Sequence, residues 1–383
     1  SGDRFLYMDQ WAFGGGTKMQ QTGQLDSNDG GLTYPGGSIY TYYRQSMLGN
    51  PDIHWEKVAK MNLGIDFSFL NNTIAGTVEL FKDKRKDIIL AGGDQAVPTF
   101  FGFTPARRNL GKAEVKGYEF ELRFTKNLNR YTRIWANVSM THAANKIISR
   151  DDPKFMPDYQ KQAGYYIGQT HSHINGGFLN SFDELYGSPS HDVNNGERLP
   201  GDYYIVDFNG DGVVDVRDSA PYGYSGTPQN TYNATVGFEW KGFSCFVQFY
   251  GVTNVTRDVN LVSFQNHIDN VYDIAPWWNG NDYSGEVIPR WYSSASPYAN
   301  GTQYLFDGSY VRLKNAEIAY TWTNGWVRSL GLSFLKVYLN GNNLWVWSIM
   351  PDDRESNFAG TGLASQGAYP TVKRFNFGLQ FTL

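Results

Sequence analysis

Apolar and polar residues alternate along this chain in stretches far longer than a soluble strand requires. In one, Trp55, Ala59, Met61, Leu63, Ile65, Phe67 and Phe69 fall on one side, and Glu56, Lys60, Asn62, Gly64, Asp66 and Ser68 on the other. Tyr118, Phe120, Leu122 and Phe124 likewise oppose Gly117, Glu119, Glu121 and Arg123, and Phe375, Phe377, Leu379 and Phe381 oppose Arg374, Asn376, Gly378 and Gln380. Successive side chains of a strand point to opposite faces, so each stretch predicts a strand with one apolar and one wet face. The charges on the polar register are too numerous for a packed core.

Length adds what alternation alone leaves open. Strands of soluble proteins run about 5–6 residues, whereas a tilted strand crossing a bilayer needs about 9–11. Ten stretches of roughly that length or more are expected, at residues 4–13, 55–70, 73–90, 112–127, 131–147, 231–240, 243–256, 309–322, 333–347 and 371–383. Their joins alternate. Tight ones fall at 71–72, 128–130, 241–242 and 323–332, and long ones at 14–54, 91–111, 148–230, 257–308 and 348–370. Short periplasmic turns and long outer loops give that rotation in an outer-membrane barrel. The fold expected is therefore an all-β transmembrane antiparallel barrel treated as one unit over 1–383, with the long loops extracellular. A β-sandwich also alternates, and it stays open as a soluble alternative, a β-rich glycan-binding or hydrolytic domain.

Composition is compatible with the barrel. Aromatic residues make up 16% of the chain and glycines number 42, which suits interfacial girdles and many turns. The mean hydropathy of −0.46 does not argue against a barrel, because lumen and loops are polar. No apolar run of about 18 residues exists to form a transmembrane helix. A net charge of −4 gives no reason to expect a nucleic-acid partner. The single cysteine, Cys245, excludes an internal disulfide and lies on the apolar register of its stretch. No secretion signal opens the chain, so an exported protein of this kind is expected to be the C-terminal part of a longer precursor.

One loop carries recognisable chemistry. Asp207, Asn209, Asp211, Asp215 and Asp218 stand at positions one, three, five, nine and twelve of a calcium-loop pattern, with Gly212 at six and the Val213 carbonyl at seven. Asp218 replaces the usual glutamate and has a shorter reach. A calcium ion there would stiffen a long outer loop, and an Asx-rich turn without metal is the alternative. No amphipathic helix precedes Asp207, so a calcium sensor is not expected. His171, His173 and His191, with Asp183, Glu184 and Asp192, could be drawn as a transition-metal site, but the spacing fits no tight ligand template and solvated loop histidines are expected instead. Trp277, Trp278, Trp291 and Tyr292 lie in another long loop and are candidate contacts for a ligand or a protein partner. No nucleophile constellation or phosphate loop is legible, and catalysis is not expected.

Short words along the chain, in order, resemble the SusC/RagA-like TonB-dependent transporters of Bacteroidetes outer membranes. They are Gly2-Asp3-Arg4-Phe5, Leu48-Gly49-Asn50-Pro51-Asp52-Ile53-His54-Trp55-Glu56, Asn109-Leu110-Gly111, Val115-Lys116-Gly117-Tyr118-Glu119 and Leu199-Pro200-Gly201-Asp202. Tyr310-Val311-Arg312-Leu313-Lys314-Asn315 and Gly341-Asn342-Asn343-Leu344 follow. The resemblance implies the last ten strands of a barrel of about 22 with a plugged lumen. It implies that the plug, the TonB-contacting segment and the earlier strands belong to a preceding portion. It also implies a SusD-like surface lipoprotein as a lid, and import of glycan oligomers or oligopeptides. The loop tryptophans favour a glycan. Asn376, Gly378, Phe381 and Leu383 fit the spaced pattern of a barrel's last strand, with Leu383 in place of the usual aromatic. A passive porin-like barrel shares every strand argument and remains the alternative function.

Overall fold

The computed structural model describes residues 5–14, 42–98, 100, 104–258, 298, 301–350 and 371–382. A nine-stranded antiparallel sheet dominates it. Its strands are β3 (Lys57–Phe69), β4 (Ile74–Leu90), β5 (Arg108–Asn129), β6 (Thr132–Ser149), β13 (Asn230–Trp240), β14 (Phe243–Thr253), β17 (Tyr310–Trp322), β18 (Phe334–Ser348) and β19 (Arg374–Thr382), and they neighbour one another in chain order. Nine of the ten expected stretches are thus strands of one meander. The first differs. The chain turns at residues 6–8, and only β1 (Gln10–Gly14) is extended, paired with β2 (Tyr42–Met47) as a separate arm. The Met8 N–H to the Phe5 carbonyl, at 3.0 Å, closes that turn, and the Asp9 carboxylate accepts the Gly49 N–H at 2.8 Å just beyond it.

The tight joins use the backbone chemistry their residues allow. Lys241 and Gly242, at φ 47° and 90°, close a two-residue hairpin of the type that matches strand twist. Leu70, Asn71 and Asn72 all adopt positive φ in the β3–β4 turn. The β17–β18 join instead holds a short helix, Gly325–Ser329, with Val327 fully buried.

Register places side chains on two opposed faces. One face carries rows such as Phe124, Ala136, Val236, Val247 and Ala316, each opposite the next across β5, β6, β13, β14 and β17. The other carries Arg123, Asn137, Thr235 and Gln248 at the same level. The apolar face is bare: Leu63 is 62% exposed, Phe377 71% and Phe375 72%. No second sheet covers it among the described residues. Exposed apolar surface of that extent would be ruinous in water and is what a lipid-facing band requires. On the polar face, aromatic rings lie over glycines of the neighbouring strand. A Cβ on Gly237 would come 2.2 Å from the Trp135 ring, and one on Gly378 would come 2.3 Å from Tyr338.

Buried apolar residues gather instead in the long β6–β13 connection. It pairs β7 (His171–Ser172) with β12 (Ala220–Pro221), β8 (Asn175–Phe178) with β10 (Tyr203–Ile205), and β9 (Ser190–His191) in parallel with β11 (Val213–Val214). Tyr203, Ile205, Val214 and Tyr298 form its core, with Phe178 packed against them. The hairpin of β15 (Thr256–Asp258) and β16 (Leu305–Asp307) lies beside it, tied by the Thr256 N–H to the Ser225 carbonyl at 3.3 Å.

Candidate calcium loop and its histidine–tyrosine anchor

The 207–218 loop is shaped by its own acids. Asp207 Oδ1 accepts the Gly210 N–H at 2.7 Å, and Oδ2 accepts that of Gly212 at 2.7 Å. Asn209 Oδ1 accepts from Asp211 N–H at 2.8 Å, and Asp211 Oδ1 from Val213 N–H at 3.0 Å. Gly210 and Gly212 sit at φ 75° and 89°, the left-handed region glycine enters without a Cβ clash. The loop closes on a 3-10 turn, Val216–Asp218, through a capping box in which Asp215 accepts from the Arg217 N–H and Asp218 from the Asp215 N–H, at 2.7 and 2.8 Å. Asp218 is fully buried, and its other oxygen takes the Phe208 and Asn209 N–H groups at 2.8 and 3.1 Å.

Every side chain expected in the calcium pattern is therefore in the loop and turned onto its backbone, but the acids do not converge. No group of three or more metal-ligating side chains forms among the described residues. The Arg217 guanidinium stands where positive charge is wanted, 2.7 Å from Asp211 Oδ2 and 2.6 Å from Asp215 Oδ2. Its hydrogen bond holds the Asp215 carboxyl below its ordinary range.

The loop is fastened to its surroundings by groups the sequence did not single out for this. His173 Nε2 meets the Asp215 carbonyl at 2.8 Å, and its ring packs on Tyr298 with centroids 4.6 Å apart. Tyr298 donates to Asp192 Oδ1 at 2.6 Å, and burial together with that carboxylate pushes its hydroxyl up to about 12. His191 lies edge-on to the same ring and is 5% exposed; burial pulls its imidazole down to about 4. His171 packs instead on Tyr165. Asp183 and Glu184 lie in the first turn of a short helix, Phe182–Gly187, where Ser181 accepts the Glu184 N–H and Glu184 accepts the Asn180 N–H. The histidines and acids thus serve packing and capping rather than one ligand cluster. Trp277, Trp278, Trp291 and Tyr292 lie outside the described residues.

The polar face of the sheet supplies a second arrangement. Side-chain amides link five neighbouring strands: Gln248 donates to Asn233 at 3.0 Å, Asn315 to Gln248 at 2.5 Å, Asn342 to Asn315, and Asn376 to Asn342 at 3.3 Å. Such a belt is uncharged, hydrogen-bonding and wettable, which suits a lumen wall.

A family model described as TonB dependent receptor-like, beta-barrel, matches residues 10–344. The chain belongs to the TonB-dependent receptor β-barrel family. TonB-dependent receptor P26 of Formosa agariphila is 25% identical over 361 residues, covering 87% of this chain and 35% of that protein. TonB-dependent receptor SusC of Bacteroides thetaiotaomicron is 23% identical over 318 residues, covering 76% of this chain and 29% of that protein. The chain spans about a third of the length of these curated relatives. Among solved structures, the RagAB peptide transporter matches with a TM-score of 0.66 at 17% identity, covering 98% of this chain and 38% of that chain. At that identity the likeness is one of fold. The SusC/RagA-like resemblance and the partial barrel expected from the sequence are both upheld by these matches. Membership in a receptor and transporter family also means an outer-membrane setting and no enzymatic activity.

Proposed function

We propose that this TonB-dependent receptor barrel is the C-terminal part of a nutrient importer. It would take up glycan oligomers together with a SusD-like surface lipoprotein, its long loops extracellular. The observation that carries the reading is the sheet itself. A bare apolar face needs lipid, and an opposite face of amides and charges offers a wet path past it. The likeness to SusC and to the fold of the RagAB peptide transporter supports import over a passive pore. A lid lipoprotein, a plug and TonB coupling would come from the lipoprotein partner and from the rest of the longer protein. The full-length protein, tagged and extracted in mild detergent, is expected to bring a surface lipoprotein with it and to bind an oligosaccharide. Binding of oligopeptides alone would move the substrate class to peptides, and purification without any lipoprotein would favour the porin-like reading.

The 207–218 loop would hold one calcium ion. Its Asx turns and left-handed glycines support that reading, and Arg217 would have to leave Asp211 and Asp215. Asp207, Asn209, Asp211, Asp215, Asp218 and the Val213 carbonyl would supply the oxygens. Bound there, calcium would act as an electrostatic cross-link in the loop. Calcium should slow proteolysis of this loop in the wild type, and Asp207→Ala with Asp211→Ala should abolish that protection without unfolding the barrel. Equal cleavage of wild type and variant at saturating calcium would rule the site out.

A further inference from the structure

We propose that Lys82, Lys84, Lys116 and Lys146 form a docking surface for the phosphate headgroup of a membrane lipid. The register places all four on the apolar face, beyond its long-loop end. Leu63, Leu80 and Tyr118 lie opposite one another as one row of that face, and Tyr118 is opposite His142. The Tyr118 and His142 rings stack at 5.1 Å. One step further from the apolar band, about 7 Å along the strands, Lys82 is opposite Lys116. One step beyond that, Lys84 is opposite Glu114, and Glu114 opposite Lys146. Four lysines thus surround a single carboxylate, and Glu114 pairs with Lys82 at 2.9 Å. Lys84, Lys116 and Lys146 are exposed.

Position selects the occupant. These side chains project from the face that carries Leu63, Leu80 and Phe120, away from the amide belt, so a solute in the lumen cannot reach them. What lies beside an apolar band bounded by stacked aromatic rings is the headgroup layer. A compact ammonium is suited to a phosphate as a point charge. The lysines are also local. At the long-loop ends of β13, β14, β17 and β18 the same face ends in Asn230, Thr253, Val311 and Trp347. A general attraction to an anionic surface would not need this confinement to β4, β5 and β6.

The inference rests on the apolar face meeting lipid, and the test separates the two. Full-length protein in detergent is titrated with phosphatidic acid or phosphatidylcholine, and retained lipid is counted by native mass spectrometry. Wild type should retain phosphatidic acid over phosphatidylcholine. Combined Lys82→Ser, Lys84→Ser, Lys116→Ser and Lys146→Ser should weaken that binding roughly fivefold per lysine. The corresponding four arginine substitutions should keep it, and heat-modifiable electrophoretic mobility checks that each barrel is folded. Excess inorganic phosphate should not displace the lipid. Equal retention of both lipids by wild type, unchanged affinity in the serine variant, or displacement by free phosphate would overturn the proposal. If the protein instead stayed in solution without detergent, the membrane reading itself would fail.

Discussion

The nine-stranded sheet and the 150–230 loop region use the same residue types in opposite ways. In the sheet, Leu63, Phe377 and Leu379 point outward and stay bare. In the loop region Ile205 and Val214 are 2% and 0% exposed, and they pack with Tyr203 and Tyr298 in a small interior. The sheet turns its polar groups inward to a lumen; the loop region turns its apolar groups inward as a water-soluble domain does. One chain thus folds for two solvents, and each part should fail under a different insult.

Cavity formation should hurt only the loop region. Ile205→Ala is expected to cost about 2–5 kcal/mol there. Limited proteolysis should then cut within 150–230 while the sheet keeps its heat-modifiable mobility. Simultaneous loss of both would deny the loop region its own core.

Acid should sharpen the contrast by a smaller amount. His191 is held neutral by burial and by Arg198 and His173, against the opposing pull of Asp192, so its folded value of about 4 lies below the ordinary 6.5. Between these values the unfolded loop takes up a proton that the folded loop refuses. Stability from this group is therefore full above pH 6.5, falls progressively toward pH 4, and is flat below. The loss should be on the order of 1–3 kcal/mol. Protease sensitivity of the loop region at pH 7 and pH 4.5 measures it, and His191→Phe should flatten the dependence. An unchanged pH profile in that variant would assign acid lability elsewhere.

The two regions also differ in how legible they are. Strict alternation gave away β3, β5, β13 and β19, because a period of two leaves one reading for each residue's face. It failed at residues 4–13, where a turn at residues 6–8, closed by the Met8 N–H to the Phe5 carbonyl, interrupts an alternating pattern. The calcium-pattern acids were visible from their spacing. The His173–Tyr298 anchor beside them was not, because the two residues come from distant segments and meet only in the folded chain. The lysine group was hidden for a simpler reason. Lys82 and Lys84 lie in one stretch and Lys116 and Lys146 in two others, and only the register of β4, β5 and β6 brings them together around Glu114.

If the apolar face meets lipid and the amide-bearing face does not, a charge should be costly on one and tolerated on the other. Adjacent positions on β13 test it: Val236 is 49% exposed on the apolar face, and Thr235 follows the polar register beside Gln248. Unfolding free energies of the full-length protein in lipid vesicles would be measured for Val236→Arg and Thr235→Arg. A loss of about 2–4 kcal/mol is expected for Val236→Arg at mid-membrane depth, and at most about 1 kcal/mol for Thr235→Arg, the usual scale of a polar-surface change. Equal losses at the two positions, or the larger loss at Thr235, would contradict it.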